Sequence, residues 1–345
     1  MGFLAQISAA GSDNQWRQAL RGELERIRRQ YALYPAAGAS PSQTLHSATH
    51  TVREIAAHCL PLGIALVMHL YPLCALRCAP LPAVSIAGFK RRLLMNQVAE
   101  RGLIVANGGS ERAHGPHQSM SVALDGDGLR VTGTFEYVSL ASVADLVLFS
   151  APLADGRTAF CAAGLRGGSV RIGEPKFSGS MQYSDTRPLT FVDHRVARGR
   201  YLVAADAAGA RCIFDYQRCW FHLLLAEAYL SRITQLQRTR GLHTTVEQQM
   251  ALNEVACLRE YATRLLDDCR PRGSVDRLGH VTATMKLRVS SLAQATGRAL
   301  RELAAGASTN PAGPAGDASD ASELDYMKLQ PTPDARILQG LAVAS

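Results

Sequence analysis

Formal charge is scarce in this sequence, and no metal-binding spacing is visible. Charged residues make up 19% of 345, against 47% apolar residues. That balance excludes a largely disordered, self-repelling chain and leaves ample material for a core. None of the eight cysteines belongs to a Cys-x-x-Cys pair. Cys74 and Cys78 lie close together, but no second cysteine pair and no histidine pair accompanies them, so the usual zinc spacings are missing. No basic segment followed by an apolar run opens the sequence. The expectation is therefore a cytoplasmic protein with reduced, structural thiols. No internal repeat is found, which argues against a solenoid.

What is present points to several cooperating units. The length exceeds the usual size of one domain. Lys plus Arg number 37 and Asp plus Glu 29, a net +8. The excess favours anionic partners such as nucleotide phosphates, nucleic acid or an acidic protein, without choosing among them. From Cys59 to Leu76 no residue carries a formal charge, a length approaching a bilayer span. Pro61 and Pro72 interrupt the run and His69 sits inside it, so a buried helix is the expectation rather than a membrane span.

Three blocks are predicted. Residues 1–105 form an N-terminal helical domain, with helices over Gln15–Arg29, Ser47–Met68 and Val84–Arg101, the last carrying Lys90, Arg91 and Arg92. Residues 106–205 form a small β domain. Ser119–Leu124 alternates apolar and polar residues, Asp125-Gly126-Asp127-Gly128 makes a turn, and Leu129–Gly133 returns. Short β segments follow at Asp145–Phe149, Thr158–Ala162, Ser169–Ile172 and Leu189–Val192. Residues 206–345 form a helical bundle. Trp220–Arg238 is one helix, Val246–Cys269 places Ala251, Val255, Leu258, Ala262 and Leu265 on one face, and Leu278, Val281, Met285 and Leu292 mark another. Residues 304–322, composed of small and turn-forming types, are predicted to be a flexible segment. The fold class is α+β, with helices, a small β domain and a helical bundle in that order.

Three stretches resemble the acyl-CoA dehydrogenase family of flavoproteins. Tyr183–Val196 is similar to the family's Ser-x-Thr strand followed by an apolar-acidic strand, with Ala197 where the family has proline. Asp127–Ser139 followed by Ala144-Asp145-Leu146 resembles its Gly-Lys-x-Trp-Ile-Thr strand and later Ala-Asp. Arg238-Thr239-Arg240-Gly241-Leu242, then Gln249, resembles its Arg-x-x-Phe-Gly…Gln element. The family order matches the three blocks. The resemblance implies FAD bound between the β domain and the bundle, and a homodimer or homotetramer in which a neighbouring subunit completes the site. It implies acyl-CoA or an acyl carrier protein as partner, with neither nucleic acid nor membrane.

Residue by residue, the resemblance places Asn107, Tyr137, Val138, Ser139, Arg238, Gln249 and Thr332 at the flavin. Tyr137–Ser139 matches the strand flanking the ring system, the alternative being an ordinary strand with its aromatic in the core. Arg238 matches the arginine that reaches the diphosphate across the dimer, where paired donors suit phosphate, or it is a solvated helix-end residue. The upstream flavin loop falls on Asn107–Ala113, where Ala113 replaces a serine, and the family's glycine-rich Gln-x-x-Gly-Gly-x-Gly segment is absent. Dehydrogenation needs a carboxylate to take the α-proton. The family's Glu-Gly-Thr aligns with Gln330-Pro331-Thr332, as in a natural-product-biosynthesis subgroup, and an amide does not accept that proton. Asp334 and Asp215 are the carboxylates near the two family positions, although Asp215 also suits a helix cap. Arg218 faces either a CoA or phosphopantetheine phosphate or the solvent. His69 borders the substrate cavity or packs in the core. The leading expectation is an FAD-dependent acyl-thioester dehydrogenase. A flavin monooxygenase of the same fold and a catalytically degenerate subunit are the alternatives.

Overall fold

In a computed structural model, the described residues are 12–31, 33–79, 86–108, 120–204, 207–268, 272–307 and Leu324. Asp334, Thr332 and most of the 304–322 segment lie outside them.

Helix α1 spans Asp13–Gln30, started by Ser12, whose hydroxyl accepts the Gln15 amide, and it buries Leu20, Leu24 and Ile27. Helix α2 spans Pro41–Ala56 and opens with a reciprocal cap between Ser40 and Gln43. Helix α3 spans Leu60–Cys78 and helix α4 spans Ile86–Arg101. The single helix expected over Ser47–Met68 is therefore two. The chain breaks at Cys59, which is extended, and Pro61 falls in the first turn of α3, where a missing N–H costs no helical bond. Apolar periodicity alone ran across the break because both helices bury the same kind of residue. The crossing is tight: a Cβ on Gly63 would lie 2.5 Å from the Ala56 Cβ. Helix α3 is long and apolar enough to cross a bilayer, but it is a core helix here, with its residues mostly buried inside the protein. Pro72 is accommodated within it.

The middle of the chain forms two four-stranded sheets. Strands β1 (Val105–Asn107), β4 (Leu146–Pro152), β5 (Thr158–Gly164) and β8 (Tyr201–Val203) make one sheet in the order β1-β4-β5-β8. Strands β2 (Ser121–Asp125), β3 (Gly128–Val138), β7 (Arg187–Val196) and β6 (Val170–Ile172) make the other in the order β2-β3-β7-β6. Asp125 pairs with Gly128 across the predicted turn, and Gly126 takes the left-handed φ of 57° that a two-residue hairpin loop demands. Among the described strands, β1 and β4 are the one parallel pair.

Helices α5 (Ala207–Arg240), α6 (Val246–Asp268) and α7 (Arg272–Ala307) complete the chain. Helix α5 begins well before the expected Trp220, so Asp215 lies inside it and does not cap it. At its other end Gly241 is left-handed at φ 63°, and the Leu242 N–H reaches back to the Gln237 carbonyl at 3.0 Å, a helix stop of the kind glycine permits. Thr245 and Gln248 then cap α6 reciprocally.

The cores do not follow the order of the chain. Residues of α2 and α3, such as Val52, Ile64 and Leu70, pack with α5, α6 and α7, and Leu324 joins them. Leu20, Leu24 and Ile27 of α1 instead join the core between the two sheets. The architecture is α+β, with helices, two small sheets and a helical C-terminal region.

Candidate functional site

The two β-domain segments singled out in the sequence meet. Strand β3 ends at Val138, opposite Arg187 at the start of β7. Just beyond, the hydroxyls of Ser139 and Thr186 share a hydrogen bond of 3.1 Å, and Thr186 shares another of 2.8 Å with Ser184. Asp185, between them, has a left-handed φ of 49°. This turns its buried carboxylate back to accept the Ser142 amide and hydroxyl, each at 2.7 Å, and the Arg187 Nε at 2.7 Å. Arg187, 2% exposed, also donates to Asp13 of α1 at 2.5 Å. Burial pushes the Asp185 carboxyl up, opposed by the Arg187 and Ser142 hydrogen bonds. At the rim, the Arg187 hydrogen bond holds Asp13 below the usual carboxylate range.

Tyr137 faces outward, with 37% of its surface exposed. The Lys176 ammonium lies 5.4 Å from its ring centre and Phe177 is 6.4 Å away at a shallow angle. Phe177 packs in turn against the bundle core. An aromatic rim with a cation therefore joins the β domain to the helices beside Ser139. Val138 is fully buried in the core of the sheets.

A second junction gathers α3, β1 and α5. Asn107 at the end of β1 donates through its amide to the Tyr71 hydroxyl. The Tyr71 ring meets Phe221 of α5 edge-on at 5.3 Å. Burial raises the Tyr71 phenol far above its ordinary value. Next to Asn107, Gly108 lies so close to Phe135 of β3 that a Cβ would approach its ring to 3.0 Å. His69, one position from the cluster's helix face, is buried with its Nδ1 3.0 Å from the Val105 amide nitrogen. Burial lowers its pKa to about 4, so the ring is neutral at pH 7 and holds α3 to β1.

The other predicted residues fall apart from these. Asp215 pairs with Arg218 one turn later at 2.9 Å. Among the described residues, Arg238 is exposed and its hydrogen bond runs along its own helix, to Gln235 at 2.6 Å. Gln249 is exposed on α6 and donates to Asn253 at 3.2 Å. At the helical rise, positions 215 and 238 of α5 are roughly 34 Å apart, too far for one bound molecule to meet both ends within one copy by way of this helix alone. Among the described residues no group of His, Cys, Asp and Glu is gathered for a metal ion. A cavity of about 200 Å³ lies beside α2 and α3, lined by Tyr34, Thr44, Leu70 and Cys74 among others, and it contains none of these residues.

Sequence reasoning missed His222 and Lys286, which are fully buried in the bundle. Among the described residues neither ring nitrogen of His222 has a hydrogen-bond partner, and burial lowers its pKa to about 3, helped by Arg218 and Lys286. It also missed the tie from Arg187 to Asp13. The i, i+2 spacing of Asp185 and Arg187 on an extended segment was a usable signal for one half of that tie. Nothing in the sequence pointed to the other.

The donor set suits a flavin on the structure's own terms. Tyr137 and Phe177 offer flat apolar surface, Ser139 and Asn107 offer side-chain hydrogen-bonding groups, and Lys176, paired with Glu136 at 2.6 Å, lies at the rim.

No protein-family profile matches the chain, and no curated protein matches it. Solved structures do. KijD3 in complex with FMN and dTDP-3-amino-2,3,6-trideoxy-4-keto-3-methyl-D-glucose superposes with a TM-score of 0.69 at 16% identity, over 98% of this chain and 95% of that one. Butyryl-CoA dehydrogenase from Megasphaera elsdenii superposes with a TM-score of 0.68 at 15% identity, over 100% of this chain and 93% of that one. The chain has the acyl-CoA dehydrogenase fold. The prolyl acyl carrier protein oxidase AnaB shares it, with a TM-score of 0.65 at 14% identity over 95% and 90% of the two chains. In this acyl-CoA dehydrogenase-like fold, the Tyr137–Ser139 and Ser184–Thr186 segments occupy one corner of the β domain facing the helices.

Proposed function

We propose that the chain is an FAD-dependent oxidoreductase that dehydrogenates an acyl thioester, carried on CoA or a carrier protein, between its α and β carbons in a specialised biosynthetic pathway. The observation that carries this reading is the joining of Tyr137–Ser139 to Ser184–Thr186 beside the bundle, because both segments were matched to the family separately. The flavoprotein and acyl-carrier descriptions of the structurally similar proteins support it.

Flavin, when bound, supplies a two-electron acceptor. The Ser139 hydroxyl and the neighbouring backbone hold the ring edge, Tyr137 and Phe177 shield it from water, and Asn107, steadied by Tyr71, supplies an amide donor. Asp215 takes the α-proton of the thioester. It pairs with Arg218 at 2.9 Å, and Arg218 also suits a phosphate on the incoming carrier. Asp334 and Thr332 are the corresponding candidates outside the described residues. His69 backs the wall formed by α3 and stays neutral there. Arg238, at the far end of α5 from Asp215, and Gln249 on α6 would serve the flavin of a second copy in a homodimer or homotetramer, with the guanidinium suited to the diphosphate.

The test is anaerobic mixing of FAD-loaded protein with butyryl-CoA and with a butyryl-loaded carrier protein, following the flavin absorbance near ~450 nm. Bleaching by a thioester is expected. Asp215→Asn is expected to slow it by roughly 10²–10⁴ with flavin still bound, and Arg238→Ala is expected to weaken flavin retention. A protein that cannot be loaded with flavin overturns the reading. Loaded protein that no thioester bleaches, but that consumes oxygen in the presence of a reductant, supports the monooxygenase alternative. The glutamine at position 330, where the family carries its glutamate, favours that second reading.

A further inference from the structure

Among the described residues of the N-terminal half, helix α4 carries an apolar outer face. Its buried residues are Gly88, Met95 and Val98. Ile86, Phe89 and Leu93, at steps of three and four, are 79%, 60% and 43% exposed. They form one apolar stripe roughly 10 Å long. A stripe of large apolar side chains on an otherwise polar surface marks a contact site more often than chance exposure does.

Positive charge surrounds the stripe. Lys90, Arg91 and Arg92 lie on the same turns, Arg77 adjoins from α3, and Arg198 and Arg200 come from the short 3₁₀ turn before β8. Among the described residues none of these six cations forms an ion pair. Lys90 donates to the Tyr201 carbonyl at 3.1 Å, Arg91 to the Ala79 carbonyl at 2.6 Å and Arg77 to the Ala36 carbonyl at 3.0 Å. The cations crowd one another: burial and the Arg198 charge hold Lys90 below its usual value, and burial with the Arg77 and Arg92 charges does the same to Arg91.

We propose that the first turns of α4, with Arg198 and Arg200, are the docking surface for an acidic, helical carrier protein that delivers the acyl group on its thioester arm. The proposal rests on the thioester reading above and narrows its substrate to the carrier-bound form. Charge complementarity chooses the partner. Free CoA brings phosphates but no apolar face to cover Ile86, Phe89 and Leu93, whereas an acidic amphipathic helix brings both. A lipid surface needs a longer apolar face, and here the stripe ends at Asn96, Gln97 and Glu100. The reach is right. Tyr201, which Lys90 grips, pairs with Cys161 of β5, and Cys161 pairs with Phe149 of β4, the neighbour of Leu148 opposite Asn107. Three inter-strand steps put Asn107 roughly 15 Å from this edge, within the span of a flexible phosphopantetheine arm.

The experiment measures binding apart from catalysis. Full-length protein is titrated with a fluorescently labelled, acidic bacterial-type holo-acyl carrier protein, and anisotropy is read at low and moderate salt. Wild type is expected to bind, more weakly as salt rises. The double variant Arg92→Glu/Arg198→Glu is expected to lose about tenfold or more in affinity, and Phe89→Ala a comparable amount. All three positions are exposed, and thermal melts check that the variants stay folded. Flavin reduction by butyryl-pantetheine, which has no protein carrier, is expected to stay within about twofold in kcat/KM for both variants. No binding by wild type, or equal binding by wild type and variants, overturns the proposal. So does binding of wild type, but not the variants, to phosphatidylglycerol vesicles in place of the carrier. So does a dimer that the variants dissociate while carrier affinity is unchanged. If the carrier binds through this face but no thioester bleaches the flavin, the docking surface stands and the dehydrogenase reading fails.

Discussion

The β domain and the helical bundle treat buried charge differently. In the β domain, the Asp185 carboxylate accepts three hydrogen bonds of normal length, two from Ser142 and one from Arg187, and Arg187 passes on to Asp13 at the protein's edge. Every charge in that chain has a partner, and together they fasten α1 to the sheets. In the bundle, Glu227 is likewise paired, with Arg53 at 2.5 Å and Arg259 at 3.4 Å, but both guanidinia remain partly in water. A few residues away on α5, His222 is buried with neither ring nitrogen hydrogen-bonded among the described residues. The first region is a clasp whose members depend on one another. The second mixes one partly solvated ion cluster with one buried histidine that has no hydrogen-bond partner among the described residues. Buried polarity is therefore not one phenomenon in this protein, and each instance has to be judged by its partners.

The contrast is broken most sharply at Arg187. Arg187→Met strands the Asp185 carboxylate without its guanidinium, and a loss of about 3–5 kcal/mol is expected in urea unfolding. Adding Asp185→Asn should return a large part of that. A loss under about 1 kcal/mol would mean the clasp is not one unit.

The next effect concerns acid. His69 and His222 have folded pKa values of about 4 and about 3, against 6.5 ordinarily. Above that ordinary value both states are neutral and stability does not respond. As pH falls below it, the unfolded chain takes up protons that the folded chain refuses, so stability is lost. By pH ~4.5 each ring costs about 3 kcal/mol at 1.36 kcal/mol per unit. His222→Leu should remove about half of this acid loss and leave stability at pH 7 unchanged or higher. An acid limb identical to wild type would contradict the unpaired, neutral histidine.

A smaller loss is expected for Glu227→Gln, about 1–2 kcal/mol, because Arg53 and Arg259 keep access to water when the charge is removed. The smallest is Asp13→Asn. Its carboxylate is half exposed, which screens the pair, so about 0.5–1 kcal/mol is expected from thermal melts. If Asp13→Asn cost as much as Arg187→Met, the clasp would be held from its rim rather than from its buried end.

Local chemistry was readable where it is local. The Asp125–Gly128 turn, the alternation before it and the Arg240-Gly241 stop are each specified by a few neighbouring residues, and the structure shows them as a hairpin and a helix end. The Ser47–Met68 and Trp220 boundaries were misread because apolar periodicity continues through a break at Cys59 and through helix α5 before Trp220. For the candidate site, the family resemblance named Tyr137–Ser139, Asn107 and Asp215. It did not show that Asn107 meets Tyr71, that Ser139 meets Thr186, or that Arg238 lies at the far end of a long helix from Asp215.

By itself, then, the sequence determined element types, the β insertion between helical blocks and the apolar α3, because propensity, period and turn residues act within a few positions. Only the tertiary structure decided how the blocks share their cores, with α2 and α3 in the bundle and α1 on the sheets. It alone left the Ile86, Phe89 and Leu93 stripe uncovered while burying α3 beside it. The reason is geometric: whether an apolar face is buried depends on what distant segments bring against it, and no local pattern encodes that distance.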